Sequence, residues 1–122
     1  MTTISASSTA GVYLTGGSFT NPVVINKGVS ISGPANAVFG SGQPWTLVNH
    51  GSVVGASTAS GVDLSDGGVV TNVASAVISG GNGISIIGAI GTVVNSGSIA
   101  GSYAYGVFLG DGGLVTNSIS SY

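Results

Sequence analysis

A short pattern, two apolar or β-branched residues followed by asparagine, recurs along this chain of 122 residues. Its copies are Val24-Ile25-Asn26, Leu47-Val48-Asn49, Val70-Thr71-Asn72, Val93-Val94-Asn95 and Val115-Thr116-Asn117. Successive asparagines are 23, 23, 23 and 22 residues apart. A period of this length is typical of solenoids, in which each repeat is one coil that buries its apolar side only by stacking on its neighbours.

Each repeat contains three short strand-like pieces joined by glycine-rich corners. The first piece is centred on an aliphatic residue, at Ile4, Ile31, Val53, Ile78, Ile99 and Ile119. The second alternates apolar and outward positions, as in Gly83-Ile84-Ser85-Ile86, and the third carries the asparagine. Residues 18–23 form an insertion in the first coil. The pattern predicts an all-β fold, a right-handed parallel β-helix of about five coils of about 23 residues, because parallel crossovers are strongly right-handed.

We expect residues 1–122 to form a single domain, with no cap or linker recognised at either end. Composition indicates how such a domain behaves, since only 3% of its residues are charged and Lys27 is the only basic residue besides His50. A surface with so little charge favours association. It also argues against a nucleic-acid partner, which needs basic residues to neutralise phosphates. No segment approaches the roughly 20 apolar residues of a membrane helix, so no membrane insertion is expected.

The recurring asparagines, Asn26, Asn49, Asn72, Asn95 and Asn117, predict a ladder of side-chain amides. Coils of a parallel β-helix stack about 4.8 Å apart. At that spacing each amide can donate to one neighbour and accept from the other. The alternative is that asparagine is simply a common turn residue.

The two ends of the chain predict head-to-tail association. Ile4 and Ile119 are 115 residues apart, five times 23, which places them at the same phase of the repeat. A second molecule would then continue the coil, and a contact of this heterologous kind generates filaments with a rise of roughly 24 Å per subunit. The residues expected at the joint are Ile4, Val12, Tyr13, Leu14, Val107, Phe108, Leu109, Ile119 and Tyr122. The alternative is a segment cut from a longer solenoid.

Aromatic residues predict a second surface. The outward position of the second strand carries Tyr13, Phe39, Asp63, Ser85 and Phe108 in successive coils, with Tyr103 and Tyr105 near the C-terminal end. Exposed rings here, at Tyr13, Phe39, Tyr103, Tyr105 and Phe108, suit lateral packing of filaments or stacking on sugars. Trp45 is expected to cover the core at the long corner of the second coil.

Candidate chemistry is sparse. The acids Asp63, Asp66 and Asp111 are dispersed over two coils and no arginine accompanies them. His50 has neither cysteine nor a second histidine with which to form a zinc site. We therefore expect no catalytic residues, no metal and no cofactor, and a protein that is not an enzyme.

Repeats such as those at residues 91–99 and 106–117 resemble the glycine-rich β-helix repeats of bacterial autotransporter and filamentous-haemagglutinin-type surface proteins. Those proteins are usually longer, and this chain shows neither their leader nor their membrane barrel, so an export route is not visible in it. The resemblance implies an extracellular or cell-surface location. Together these features predict a structural subunit that stacks on itself into a filament. The alternative is an adhesin-type module that recognises cell-surface polysaccharide or a host protein.

Overall fold

The computed structural model describes residues 1–118, which lie in short parallel strands joined by tight corners. In chain order, the strands within these residues are β1 (Thr2–Ile4), β2 (Val12–Leu14), β3 (Val23–Ile25), β4 (Ser30–Ser32), β5 (Val38–Gly40), β6 (Trp45–Asn49), β7 (Ser52–Val54), β8 (Ser60–Leu64), β9 (Gly68–Asn72), β10 (Val77–Gly80), β11 (Asn82–Ile86), β12 (Gly91–Asn95), β13 (Ser98–Gly101), β14 (Val107–Leu109) and β15 (Gly113–Asn117). None of the described residues is in a helix, and so none forms a helix able to cross a membrane.

The strands stack into three parallel sheets. Sheet 1 has six strands in the order β1-β3-β6-β9-β12-β15, sheet 2 has four in the order β4-β7-β10-β13, and sheet 3 has five in the order β2-β5-β8-β11-β14. Each strand pairs with the strand one coil away and not with its neighbour in sequence. The chain is therefore an all-β parallel solenoid of about five turns, as its repeat predicts.

Alternation along each strand places apolar side chains inside the coil. In sheet 1, Leu47, Val70 and Val93 follow one another in register and are fully buried. Sheet 3 supplies pairs such as Ile84 and Ile86, with Ser85 turned outward between them. The core is thus a continuous aliphatic column, which no single coil could bury alone.

Trp45 departs from this regularity and lies wholly inside the core. Its position in sheet 1 is glycine in the three following coils, at Gly68, Gly91 and Gly113. Room for the indole comes from Gly40 of sheet 3, where an added Cβ would lie 2.7 Å from the indole Cδ1. The Nε1–H of Trp45 donates to the carbonyl of Ser41 at 2.9 Å, which satisfies its polar group.

The first coil is irregular, as the predicted insertion at residues 18–23 indicates. Residues 15–22 form a loop between β2 and β3. Within it, the Asn21 side chain accepts from the N–H of Thr46 at 2.8 Å and donates to the carbonyl of Pro44 at 3.0 Å. The loop is therefore fixed to the next coil by side-chain bonds that replace strand pairing.

Candidate functional site at the ends of the solenoid

The C-terminal end of the described solenoid is formed by β13, β14 and β15, each the last strand of its sheet. Four inward-facing side chains at this end are only partly buried. They are Ile99, Val107, Leu109 and Val115. Val115 is 46% exposed although Val93, one coil below it, is completely buried. Three of them, Ile99, Val107 and Val115, line a hollow of about 250 Å³ that Asn95 and Asn117 also line. Among residues 1–118, this end thus combines unpaired strand edges with open core, the two features that solenoid caps normally cover.

The N-terminal end is formed by β1 and β2 with the loop that follows them. Ile4, Val12 and Phe19 pack against the core and are partly buried, whereas Leu14 is buried. Of the residues expected at this end of the joint, Ile4, Val12 and Tyr13 therefore retain exposed surface. Phe19 was not among the residues predicted at this end, although an aromatic residue within the insertion is a signal for it in the sequence.

The predicted phase of Ile4 is wrong. Strand β1 pairs with β3 in sheet 1, with Ile4 opposite Ile25, and Ser8 instead makes the bridge to Ile31 of sheet 2. Spacing explains the difference, since Ser8 lies 23 residues before Ile31 and Ile4 lies 27 before it. The five-period relation between Ile4 and Ile119 therefore does not describe the turns of the solenoid. Ile119 and Tyr122, also expected at the joint, lie outside the described residues.

An asparagine ladder runs along sheet 1. The Nδ2 of Asn49 donates to the Oδ1 of Asn72 at 3.0 Å, Asn72 donates to Asn95 at 3.0 Å, and Asn95 donates to Asn117 at 2.8 Å. Every amide donates toward the C-terminal end, which gives the ladder a direction. Asn49, Asn72 and Asn95 are buried. Their amides also donate to backbone carbonyls at the starts of β10 and β13, those of Val77 and Ser98.

Asn26 does not belong to this ladder, contrary to the prediction. Strand β3 ends at Ile25, which is paired with Asn49, and Asn26 lies exposed beyond it. The physical reason is the alternation of the strand: this register buries Val23 and Ile25 completely. A register shifted by one residue would bury Val24 and an amide in their place, at a cost in apolar burial.

The aromatic residues form two pairs on the outer face of sheet 3. At the N-terminal end, Tyr13 and Phe39 meet edge to face with ring centroids 6.2 Å apart. At the C-terminal end, Tyr105 and Phe108 stack with centroids 5.4 Å apart. Both tyrosines are more than half exposed, and Tyr103 nearby is 82% exposed. The structure therefore places a pair of rings at each end of the molecule, with Asp63 and Ser85 between them.

The three acids are separate, as the sequence indicates. Asp66 and Asp111 lie at corners, where they accept from the N–H groups of Gly42 at 2.7 Å and Gly88 at 2.6 Å. Asp63 lies on the face of sheet 3, where Asn36 donates to its Oδ2 at 3.3 Å while its Oδ1 is buried without a partner. Burial raises the pKa of Asp63 above its ordinary value of 3.8, against the opposing effect of the Asn36 hydrogen bond.

Replacing Asp63 with asparagine is expected to stabilise the protein at pH 7. A carboxyl whose pKa is raised by folding opposes the folded state when it is ionised, and this loss is recovered as the pH falls through the raised pKa. The Asp63→Asn variant should therefore melt above wild type at pH 7, and the difference should shrink by pH 4. Thermal melts followed by circular dichroism test this. Asp111→Asn controls for the change of net charge, and a gap that is constant with pH would contradict the assignment.

The geometry thus makes the two ends, each marked by an aromatic pair, the candidate functional surfaces, and the directional ladder runs from Asn49 to the C-terminal end. Sequence periodicity predicted which residues stack on one another in successive coils. It did not predict which of the stacked residues remain exposed at the ends. Comparison with known proteins found no matching family model, no matching curated protein and no matching solved structure.

Proposed function

We propose that this protein is a non-enzymatic structural subunit that stacks head to tail into an extracellular or cell-surface filament. The observation that carries the proposal is the C-terminal end of the described solenoid, where Ile99, Val107 and Val115 line an open hollow and three strand edges have no described partner strand. A parallel strand edge above exposed apolar core is a template for another strand. The occupant proposed is the N-terminal end of a second copy, which is itself apolar at Ile4, Val12 and Phe19.

Sheet 1 provides the most direct joint. Its first strand is β1 and its last is β15, so β1 of one subunit can pair with β15 of the next and continue the same sheet. The joint is heterologous and does not close, which is the condition for a filament. Six strand levels per subunit, about 4.8 Å apart, give a rise of roughly 29 Å, instead of the 24 Å expected from the repeat count.

The other sheets affect how the ends meet. Sheet 3 has five strands, one fewer than sheet 1, so a joint through β1 and β15 leaves one strand position open between β14 and β2 of the next subunit. Phe108 and Tyr13 of the next subunit would then lie two strand spacings apart, roughly 9.6 Å. Aromatic rings are large enough to fill a gap of this width. This supports assigning the aromatic pair at each end to the joint.

The low charge of the chain supports association further. Its formal net charge is −2, and only 3% of its residues carry a charge. Identical subunits that stack would therefore experience little mutual repulsion. A protein intended to remain dispersed usually carries far more charge on its surface.

Replacing Val115 with aspartate is expected to abolish filaments. The side chain is 46% exposed in the single molecule but would be enclosed in the joint, where an unpaired carboxylate costs several kcal/mol. The matched control is Leu114→Asp on the same strand, since Leu114 is 60% exposed and turned outward. Electron microscopy of wild type should show thin fibres with an axial repeat near 29 Å. Leu114→Asp should retain these fibres and Val115→Asp should lose them.

Two outcomes of this experiment would contradict the proposal. Equal fibre yield from both variants would rule out a joint at β15. Dispersed wild-type monomers would rule out the filament itself. In the second case the adhesin-type module becomes the better account, since Tyr103 and Tyr105 are exposed in the single molecule. Binding of the monomer to cell-surface polysaccharide on a glycan array would then support it.

A further inference from the structure

A notch on the side of the solenoid spans the corners that follow β3, β6 and β9. It is found where sheet 1 turns into sheet 2, and it has a simple structural origin. The corner after β6 has two residues, 50–51, whereas the corners after β3 and β9 in the flanking coils have four each, 26–29 and 73–76. The short corner is therefore recessed between two longer ones. The resulting space is about 350 Å³, at the lower end of the range for small-molecule sites.

The notch brings together the lysine and the histidine of the sequence. Lys27, the only lysine in a chain without arginine, lines one wall, and His50, the only histidine, lines the floor. The described residues that line the notch include no carboxylate, and all three acids of the sequence lie elsewhere. A chain with so few charges thus places its one lysine beside its one histidine on a concave surface without acids, which favours an anion there.

Serine hydroxyls supply the neutral polar groups. Ser30, Ser52 and Ser75 line the notch beside the aliphatic surface of Val29 and Val77. Hydroxyls both donate and accept, so they suit a ligand that carries hydroxyl groups of its own. A lysine ammonium, as a point charge with three donors, suits a carboxylate.

Ser75 provides an independent observation. Its φ is +71°, and it is the only residue other than glycine with a positive φ between residues 1 and 118. The corresponding corner on the opposite wall uses Gly28, at φ +85°. Glycine adopts this conformation without steric cost, whereas serine does not. Strain of this kind is retained mainly at functional positions, and the feature gained here is a hydroxyl on the notch wall.

We propose that the notch binds a small carboxylate ligand that carries hydroxyl groups, through the ammonium of Lys27, an imidazole N–H of His50 and the hydroxyls of Ser30, Ser52 and Ser75. Such a ligand can be the ring of a sugar acid or a free open-chain hydroxy acid. The site lies on the lateral surface, so its occupation does not depend on whether subunits stack.

Ligand-observed saturation-transfer NMR on the full chain at pH 5.5 tests the proposal, because the method detects weak ligands on monomers and on large assemblies alike. The probes are sodium glucuronate for the ring and sodium gluconate for the open chain, at constant ionic strength. Acetate, which lacks hydroxyls, and glucose, which lacks the carboxylate, are the reference compounds. We expect saturable transfer to glucuronate or gluconate that exceeds transfer to both references. The stronger of the two identifies the source.

Variants make the result specific. Lys27→Gln should weaken binding about tenfold by removing a charge-assisted hydrogen bond, and adding His50→Gln should abolish it. Ser75→Gly should weaken binding while raising the melting temperature, a combination that a purely structural serine would not give. Asp111→Asn, which changes net charge at a distant corner, should leave binding unchanged. Transfer that does not saturate, that equals acetate, or that survives Lys27→Gln at full strength would overturn the assignment.

Discussion

Replacing Trp45 with glycine should lower the free energy of unfolding by about 3–5 kcal/mol, the cost of deleting a large buried aromatic side chain. The indole is completely buried, and nothing else in its coil fills that volume, because the facing residue is Gly40. Urea unfolding followed by circular dichroism measures the loss. A loss below about 1 kcal/mol would show that the core collapses around the site.

The more informative experiment adds Gly40→Leu. Other coils carry a large residue at this position of sheet 3, at Leu14, Leu64, Ile86 and Leu109. The three coils after that of Trp45 carry glycine at its position. Gly40→Leu alone should destabilise by about 1–3 kcal/mol or more, because its Cβ would lie 2.7 Å from the indole Cδ1.

In the Trp45→Gly, Gly40→Leu double variant the second coil has the same arrangement as the three coils that follow it, a large residue in sheet 3 facing a glycine in sheet 1. The loss of stability in the double variant should therefore be smaller than the sum of the two single losses by about 2 kcal/mol or more. Additive losses would show that the two positions do not share one space.

Replacing Asn72 with leucine should lower the free energy of unfolding by about 2–5 kcal/mol. The side chain is fully buried, accepts from Asn49, and donates to Asn95 and to the carbonyls of Ala76 at 3.2 Å and Ser98 at 3.1 Å. Leucine matches its size but removes the ladder bonds to the buried amides of Asn49 and Asn95, at about 1–3 kcal/mol for each buried polar group that loses its partner.

Position within the ladder provides the control for this prediction. Asn117 is exposed at the open end and makes its ladder bond at 2.8 Å. Asn117→Leu should therefore cost less than about 1 kcal/mol, because water can replace the lost partner. Equal melting temperatures for Asn72→Leu and wild type would show that the ladder does not contribute to stability.

Ladder and core together explain why the chain forms a solenoid at all. Each coil is too short to enclose a core, and its buried asparagine has no partner of its own kind within that coil. Both requirements are met only when identical phases of successive coils are stacked. The same requirements remain unmet at the last described coil, which is the physical basis for proposing a further copy there.

The sequence by itself determined the repeat, the three-strand coil and the inward columns, because a side-chain alternation of two and a period near 23 leave few alternatives. Four of the five predicted ladder members, Asn49, Asn72, Asn95 and Asn117, are confirmed for the same reason. Asn26 and Ile4 failed in the first coil, where the insertion breaks the period and burial of Val23 and Ile25 decides the register.

Only the tertiary structure decided the features that differ from one coil to the next. Whether Val115 is covered depends on the presence of a coil above it, and the notch beside Lys27 and His50 depends on differences in corner length between adjacent coils. The partnership of Trp45 with Gly40 likewise joins two sheets across the core. Each is a relation between coils, and a period describes only what the coils have in common.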